Sequence, residues 1–175
     1  MNNMVFNTDK NSFYSIDVYN NLFVLAAIEG DAYTISGTVG NLPKNQYYLI
    51  LLINPISSKI NVHIKNIYSN TSNASSTYSL ILYKNAEIAG TLTSITPVNL
   101  NFGSSKNSII LCKNQVASTN PIISGVLLET IYLGYLPYES SYHGALIIPP
   151  NNSLSILIQN TDNSSISLSV KILYC

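Results

Sequence analysis

The chain has 175 residues, 46% of them apolar and only 9% charged, and its eight basic and eight acidic side chains cancel. This length suits one domain with a sizeable core, while a charge content far below the about 25% usual in soluble domains leaves Asn, Ser and Thr to make the polar surface. Nucleic acid is excluded as a partner, because holding phosphates needs many Lys or Arg contacts; an anionic membrane finds little to attract, and near-zero net charge lowers the barrier to self-association.

Residues 1–30 read differently from the rest. MNNMVFNTDKNSFYSIDVYNN has neither a basic n-region nor an apolar h-region, and no apolar run reaches the roughly 18 residues that span a bilayer. The expectation is a protein made in a cytoplasm without a secretion signal. Phe6, Phe13, Tyr14, Ile16, Val18 and Tyr19 are scattered among Asn and Asp, and a compact apolar patch, Leu22 to Ile28, follows. Two readings stand side by side: a first edge strand of the sheet, or an extended arm whose Leu22, Phe23, Val24 and Leu25 dock on a neighbouring subunit.

From Asp31 the pattern is that of strands. Tyr33, Ile35 and Val39 alternate with small polar residues until Asn41-Leu42-Pro43. Tyr47–Ile53 is a nearly unbroken apolar run, Asn54-Pro55 turns it, and Ile60, Val62 and Ile64 then alternate with polar residues. This reads as a hairpin of one buried strand and one strand with a wet face. An Asn/Ser turn spans 69–76. Tyr78, Leu80 and Leu82 resume the alternation, and Asn85-Ala86-Glu87 reads as a turn. Short strands are expected over 88–95, 97–102 and 109–112, with polar loops at 103–108 and 114–121. Ile122–Leu133 is a longer strand around Gly125, and Tyr135–His143 an aromatic loop. Ala145–Ile148, a Pro-Pro-Asn-Asn turn, Leu154–Ile158 and Ile166–Tyr174 then repeat the grammar of the 47–67 segment.

About eight to ten short strands separated by turn signals predict an all-β, antiparallel β-sandwich over residues 31–175. The long loops favour a jelly-roll-like arrangement, and the lack of any Trp argues against an immunoglobulin-like one. Ile60–Ile67 and Ile166–Tyr174 are expected in the same sheet.

Residues suited to catalysis do not assemble into a motif. His63 (INVHIK) and His143 (SYHGA) have no Cys or carboxylate at ligand spacing and read as ordinary surface or loop histidines. No serine lies in GxSxG. Ser57-Ser58-Lys59 lacks the glycines and the following helix of a phosphate loop. Asp31, Glu87, Glu129 and Glu139 are dispersed, Cys112 reads as a small buried hydrophobe, and the Asn-X-Ser/Thr triplets are expected by chance in so Asn/Ser-rich a chain. A non-enzymatic protein with no cofactor and no metal is the expectation. The tyrosines of YLGYLPYESSY, namely Tyr132, Tyr135, Tyr138 and Tyr142, invite two readings. They grip a partner or a sugar with flat amphipathic rings, or they belong to a loop that folds back over an open edge of the sandwich.

Three segments carry a family resemblance: YYLILLINPISSKINVHIKNI, PVNLNFGSS, and ALIIPPNNSLSILIQN with SLSVKILY. Together they resemble small virion proteins of tailed bacteriophages that infect low-GC Gram-positive bacteria. The likeness covers roughly residues 31–175 and consists of strand-and-turn signatures, so it brings no catalytic residues with it. It implies a jelly-roll structural subunit, often trimeric, located in the virion. A capsid decoration protein that stabilises the outer capsid surface as a homotrimer, with the major capsid protein or another virion protein as partner, is the leading expectation. The alternative is a tail- or baseplate-associated receptor- or glycan-binding module that stacks sugars on Tyr132, Tyr135, Tyr138 and Tyr142.

Overall fold

A computed structural model describes residues 3–7, 12–16, 18–71 and 76–175. In chain order the elements are β1 (Asn3–Asn7), β2 (Ser12–Ile16), α1 (Val18–Glu29), β3 (Tyr33–Leu42), β4 (Tyr47–Asn54), a 3-10 turn at Ile56–Ser58, β5 (Val62–Thr71) and β6 (Tyr78–Ile88). There follow β7 (Thr93–Ile95), β8 (Val98–Asn99), β9 (Leu111–Ala117), β10 (Ile122–Leu133), β11 (Tyr138–Ile148), β12 (Asn152–Asn160) and β13 (Ile166–Tyr174).

The protein is an all-β antiparallel sandwich. One sheet has the order β11-β5-β13-β3-β8 and the other β10-β6-β12-β4-β9-β7; β1 and β2 form a separate two-stranded hairpin. Removing the short additions β7, β8 and β9 leaves two facing sheets of four strands. The chain passes from one sheet to the other at every turn from β3 to β6 and again from β10 to β13. That winding is a jelly roll, as expected. β5 and β13 are direct neighbours, paired from Thr71↔Leu168 to Ile64↔Tyr174, as the repeated pattern predicts.

The 47–67 segment is not a hairpin. β4 lies between β12 and β9 in one sheet, and β5 between β11 and β13 in the other. Both edges of β4 are therefore occupied, and Pro55 marks a corner rather than a hairpin turn. The same correction applies to β11 and β12, which flank Pro149-Pro150 but lie in opposite sheets. The unbroken apolar run of β4 is explained by this central place. Tyr48, Ile50 and Leu52 join the core between the sheets, and Leu49 and Leu51 are buried as well.

Two buried asparagines fasten these corners. Asn54 ends β4, is fully buried, and donates from Nδ2 to Ile60 O and Ile148 O, both at 2.8 Å. Asn160 ends β12, is equally buried, and donates from Nδ2 to Leu42 O and Ser164 O, both at 2.8 Å. Each amide thus ties the end of one central strand to two chain segments entering or leaving the opposite sheet. Asn160 is further fixed by Asp162 N, which donates to its Oδ1 at 2.8 Å.

Other departures are local. Residues 22–28, read as an edge strand or an extended arm, lie in the helix α1. Its sequence VYNNLFVLAAIE is apolar on all sides, so no amphipathic period marked it as a helix. Asn85-Ala86-Glu87 is not a turn. β6 runs through it with a bulge, Asn85 at φ 51°, facing Gly125 at φ 150°. A Cβ at Gly125 would stand 2.9 Å from Ala86 Cα, so this close passage needs glycine. Most of the expected 135–143 loop is strand β11, which carries its own bulge between Ser141 and Leu146 with His143 and Gly144 at positive φ. β9 likewise extends into the expected 114–121 loop.

The floor of the core is aromatic. Tyr33 and Tyr174 stack with ring centroids 5.7 Å apart, and the Tyr174 hydroxyl lies 2.7 Å from Ser108 Oγ. Burial pushes the Tyr174 phenol upward and lifts the neighbouring Cys112 thiol from its ordinary 9.0 to about 12. Burial likewise lifts Tyr142 to about 12.

Two outcomes follow. Asn54→Ala or Asn160→Ala strands two buried carbonyls and lowers unfolding free energy in urea by about 2–4 kcal/mol; a loss under about 1 kcal/mol contradicts the corner role. Cys112 and Tyr142 are neutral when protonated and hold their protons more tightly folded than unfolded. Their contribution is complete at neutral pH and lost as pH rises from about 9 toward 12. Urea midpoints measured between pH 7 and pH 11.5 should fall over that range and stay flat below it.

Candidate functional site

Two long strands, β10 and β11, end their sheets on one side of the sandwich, and β10 is the one exposed on both faces. β10 is the terminal strand of its sheet, paired only with β6. Its sequence, IISGVLLETIYL, is apolar in both phases of the alternation, yet most of it is exposed on both faces. Ile123, Val126, Leu127 and Leu128 stand 62%, 60%, 55% and 45% exposed. Edge strands are ordinarily blunted by Lys, Pro or shortness; β10 has twelve residues and neither Lys nor Pro. Its only charge, Glu129, accepts a hydrogen bond from Tyr142 Oη at 3.0 Å.

The four tyrosines divide. Tyr132 and Tyr135 are exposed, at 82% and 52%, and extend the β10 surface together with Leu136. Tyr138 and Tyr142 are half-buried on β11 and pack against the core. The structure therefore does not present the four as one platform. Two face solvent, and two close the edge of the sandwich from within, because they sit in phase with Leu146 and Ile148 on the inward face of β11.

The N-terminal candidates lie elsewhere. Phe23 is half-buried beneath Lys65 Nζ, 4.3 Å from its ring centroid, a cation–π contact between α1 and β5. Val24 and Leu25 are exposed, and the Leu22 side chain lies outside the described residues. The end of α1 is fastened to the sandwich. Asn101 Nδ2 donates to Ile28 O at 2.8 Å, Asn99 Nδ2 to Gly30 O at 2.8 Å, and Lys106 pairs with Asp31 at 2.8 Å.

Further exposed apolar side chains lie on or beside β8 and β9, at the other end of both sheets: Val98, Phe102 (95% exposed), Leu111 and Val116. The short β7 covers only Cys112–Asn114 of β9.

Neither exposed edge stood out in the sequence. Ile122–Leu133 reads only as a longer strand around Gly125, since an apolar run cannot say whether its neighbours are present. His63, by contrast, faces away from Val62 and Ile64 as expected and donates from Nδ1 to Gly144 O at 2.9 Å, bracing the β11 bulge. Among the described residues there is no cluster of three His, Cys, Asp or Glu able to hold a metal, and no helix long and apolar enough to cross a membrane. Three surface hollows are lined chiefly by amides, small polar residues and aliphatic groups, one of them by Asn54, Pro55, Asn85, Asn151 and Asn152.

No protein-family model matches this chain. No curated protein matches it either. Among solved structures, the Yersinia pseudotuberculosis-derived mitogen is similar over 81% of this chain and 83% of its own, at 14% identity and a TM-score of 0.29. The VP2 subviral particle of infectious bursal disease virus is similar over 99% of this chain and 46% of its own, at 12% identity and a TM-score of 0.15. Scores this low leave the functional question to the chain's own surfaces.

The division of the tyrosines is directly measurable. Tyr132→Ala should change stability by under about 0.5 kcal/mol, as for other exposed substitutions. Tyr138→Ala, which empties part of the core, should cost about 2 kcal/mol or more in the same urea titration. Equal costs would contradict the placement of these rings.

Proposed function

We propose that this chain is a non-enzymatic structural subunit of a phage virion, a capsid decoration protein that binds the outer capsid surface as a homotrimer. It works by contact. A rigid sandwich presents apolar strand edges, and covering them links neighbouring subunits and adds buried area to the shell. The observation that carries the reading is β10, a twelve-residue apolar edge strand with most of its side chains exposed. A surface of this kind is costly to leave in water and marks an interaction site. The virion placement is supported by the strand-and-turn resemblance of the 47–67, 97–105 and 145–174 segments. A neutral surface with eight charges of each sign suits dense packing of copies, because no long-range repulsion opposes it. Many weak contacts then add through multivalency.

The exposed rings of Tyr132 and Tyr135 favour a second reading, a tail- or baseplate-associated module that stacks sugars. Copy number separates the two. Quantitative mass spectrometry of gradient-purified particles should find this chain at hundreds of copies per virion. A handful of copies, together with micromolar binding to host cell-wall carbohydrate that Tyr132→Ala abolishes, would replace decoration with the tail role. Absence from particles would remove both.

A further inference from the structure

We infer that copies of this chain associate head to tail, with the β10 edge of one copy packed against the β8–β9 edge of the next. The inference deepens the reading of the chain as a self-associating subunit and rests on that reading, but not on what the assembly attaches to.

The argument begins with sheet order. β10 stands first in its six-stranded sheet, and β9 and β7 stand last. In the facing sheet β11 stands first and β8 last. The two apolar edges are thus separated by the width of the sandwich, about 4.8 Å for each strand step. A contact of β10 with β10 about a two-fold axis would cover one edge in both copies and leave Leu111, Val116, Val98 and Phe102 in water. A contact of unlike edges covers both surfaces with a single kind of interface. Such contacts are heterologous, and they close into rings when the rotation between copies allows. Three is the smallest number that closes, which matches the trimer proposed above.

Size and charge agree with a second copy as the occupant. On the β10 side, Ile123, Val126, Leu127, Leu128, Tyr132 and Leu136 are each between 45% and 82% exposed. Covering them removes several hundred Å² of surface, on the scale of the about 800 Å² per partner that a standard interface buries. Few charges lie close to either edge: Glu129 accepts from Tyr142 and Lys106 pairs with Asp31, while Lys113 lies on β9 and Lys84 opposite Val126. With zero net charge, a second copy meets no electrostatic barrier.

Mixing two edge variants tests this. Val126→Lys with Leu128→Lys disables the β10 edge, and Leu111→Lys with Val116→Lys disables the β9 edge; all four positions are exposed. Light scattering after size exclusion should find the unaltered protein self-associated and each variant monomeric, its self-association weakened about tenfold or more. Mixed, the two variants should form a 1:1 heterodimer through their remaining edges. A β9-edge variant that still dimerises alone, or variants that stay apart on mixing, would overturn the head-to-tail arrangement. If a variant fails to fold, hydrogen exchange on the unaltered chain decides. Amides of β10 and of β9 should both gain protection as concentration rises, and protection confined to β10 would overturn the inference. An unaltered protein that stays monomeric throughout overturns the self-associating reading itself. The particle measurement above can fail independently, since it concerns only where the assembly sits.

Discussion

The fold depends on how two central strands end. β4 and β12 are hydrogen-bonded neighbours running in opposite directions, paired from Tyr47↔Gln159 to Asn54↔Asn152. Each finishes on a fully buried asparagine, Asn54 or Asn160, whose amide spans the gap to the other sheet. A side-chain amide suits this position because it supplies two donors in one plane, enough to satisfy two carbonyls that the corner would otherwise strand in a dry interior. With both ends of the strand pair fastened, the two sheets are held at fixed spacing and the core between them has one arrangement. Asn54 Oδ1 has no hydrogen-bond partner among the described residues. Its counterpart Asn160 also receives Asp162 N on Oδ1.

The rigid centre has a consequence at the rims. Burial is nearly complete along β4 and β12 and falls away toward β10 on one side and β8 and β9 on the other. The chain keeps apolar side chains at these rims, where polar ones would serve a lone monomer better. A single sandwich thus holds more apolar surface than it can cover by folding. The function proposed above is function by contact, with strand edges as the surfaces that would carry it.

The strand content, the alternation and many of the turns were legible in the residues, because side-chain period and Asn/Pro/Ser clusters are local properties, but the signals at 85–87, 114–121 and 135–143 read as turns or loops where strands β6, β9 and β11 run. The kinship of the 47–67 and 145–174 segments was legible for the same reason: in each, an apolar strand passes through a Pro or Asn turn to an alternating strand. What that kinship meant was not. A short turn between two strands reads as a hairpin, and only the competition for neighbours sends β5 to pair with β13 and leaves β4 to β12 and β9. The helix α1 was missed because its apolar residues fall on all sides and leave no period to betray it. The tyrosine cluster was visible as composition, but its division into Tyr132 and Tyr135 outside and Tyr138 and Tyr142 inside follows from the start of β11 at Tyr138 and the two-residue repeat of the strand.

By itself, then, the sequence determined that this chain is a neutral, charge-poor β-sandwich with matching halves, since composition and periodicity depend only on near neighbours along the chain. Tertiary structure alone decided that Asn54 and Asn160 are corner ties, and that the apolar run Ile122–Leu133 is a rim rather than a core. Whether a strand is central or terminal is set by which distant segments arrive beside it. The same apolar residues are buried in β4 and exposed in β10 for that reason.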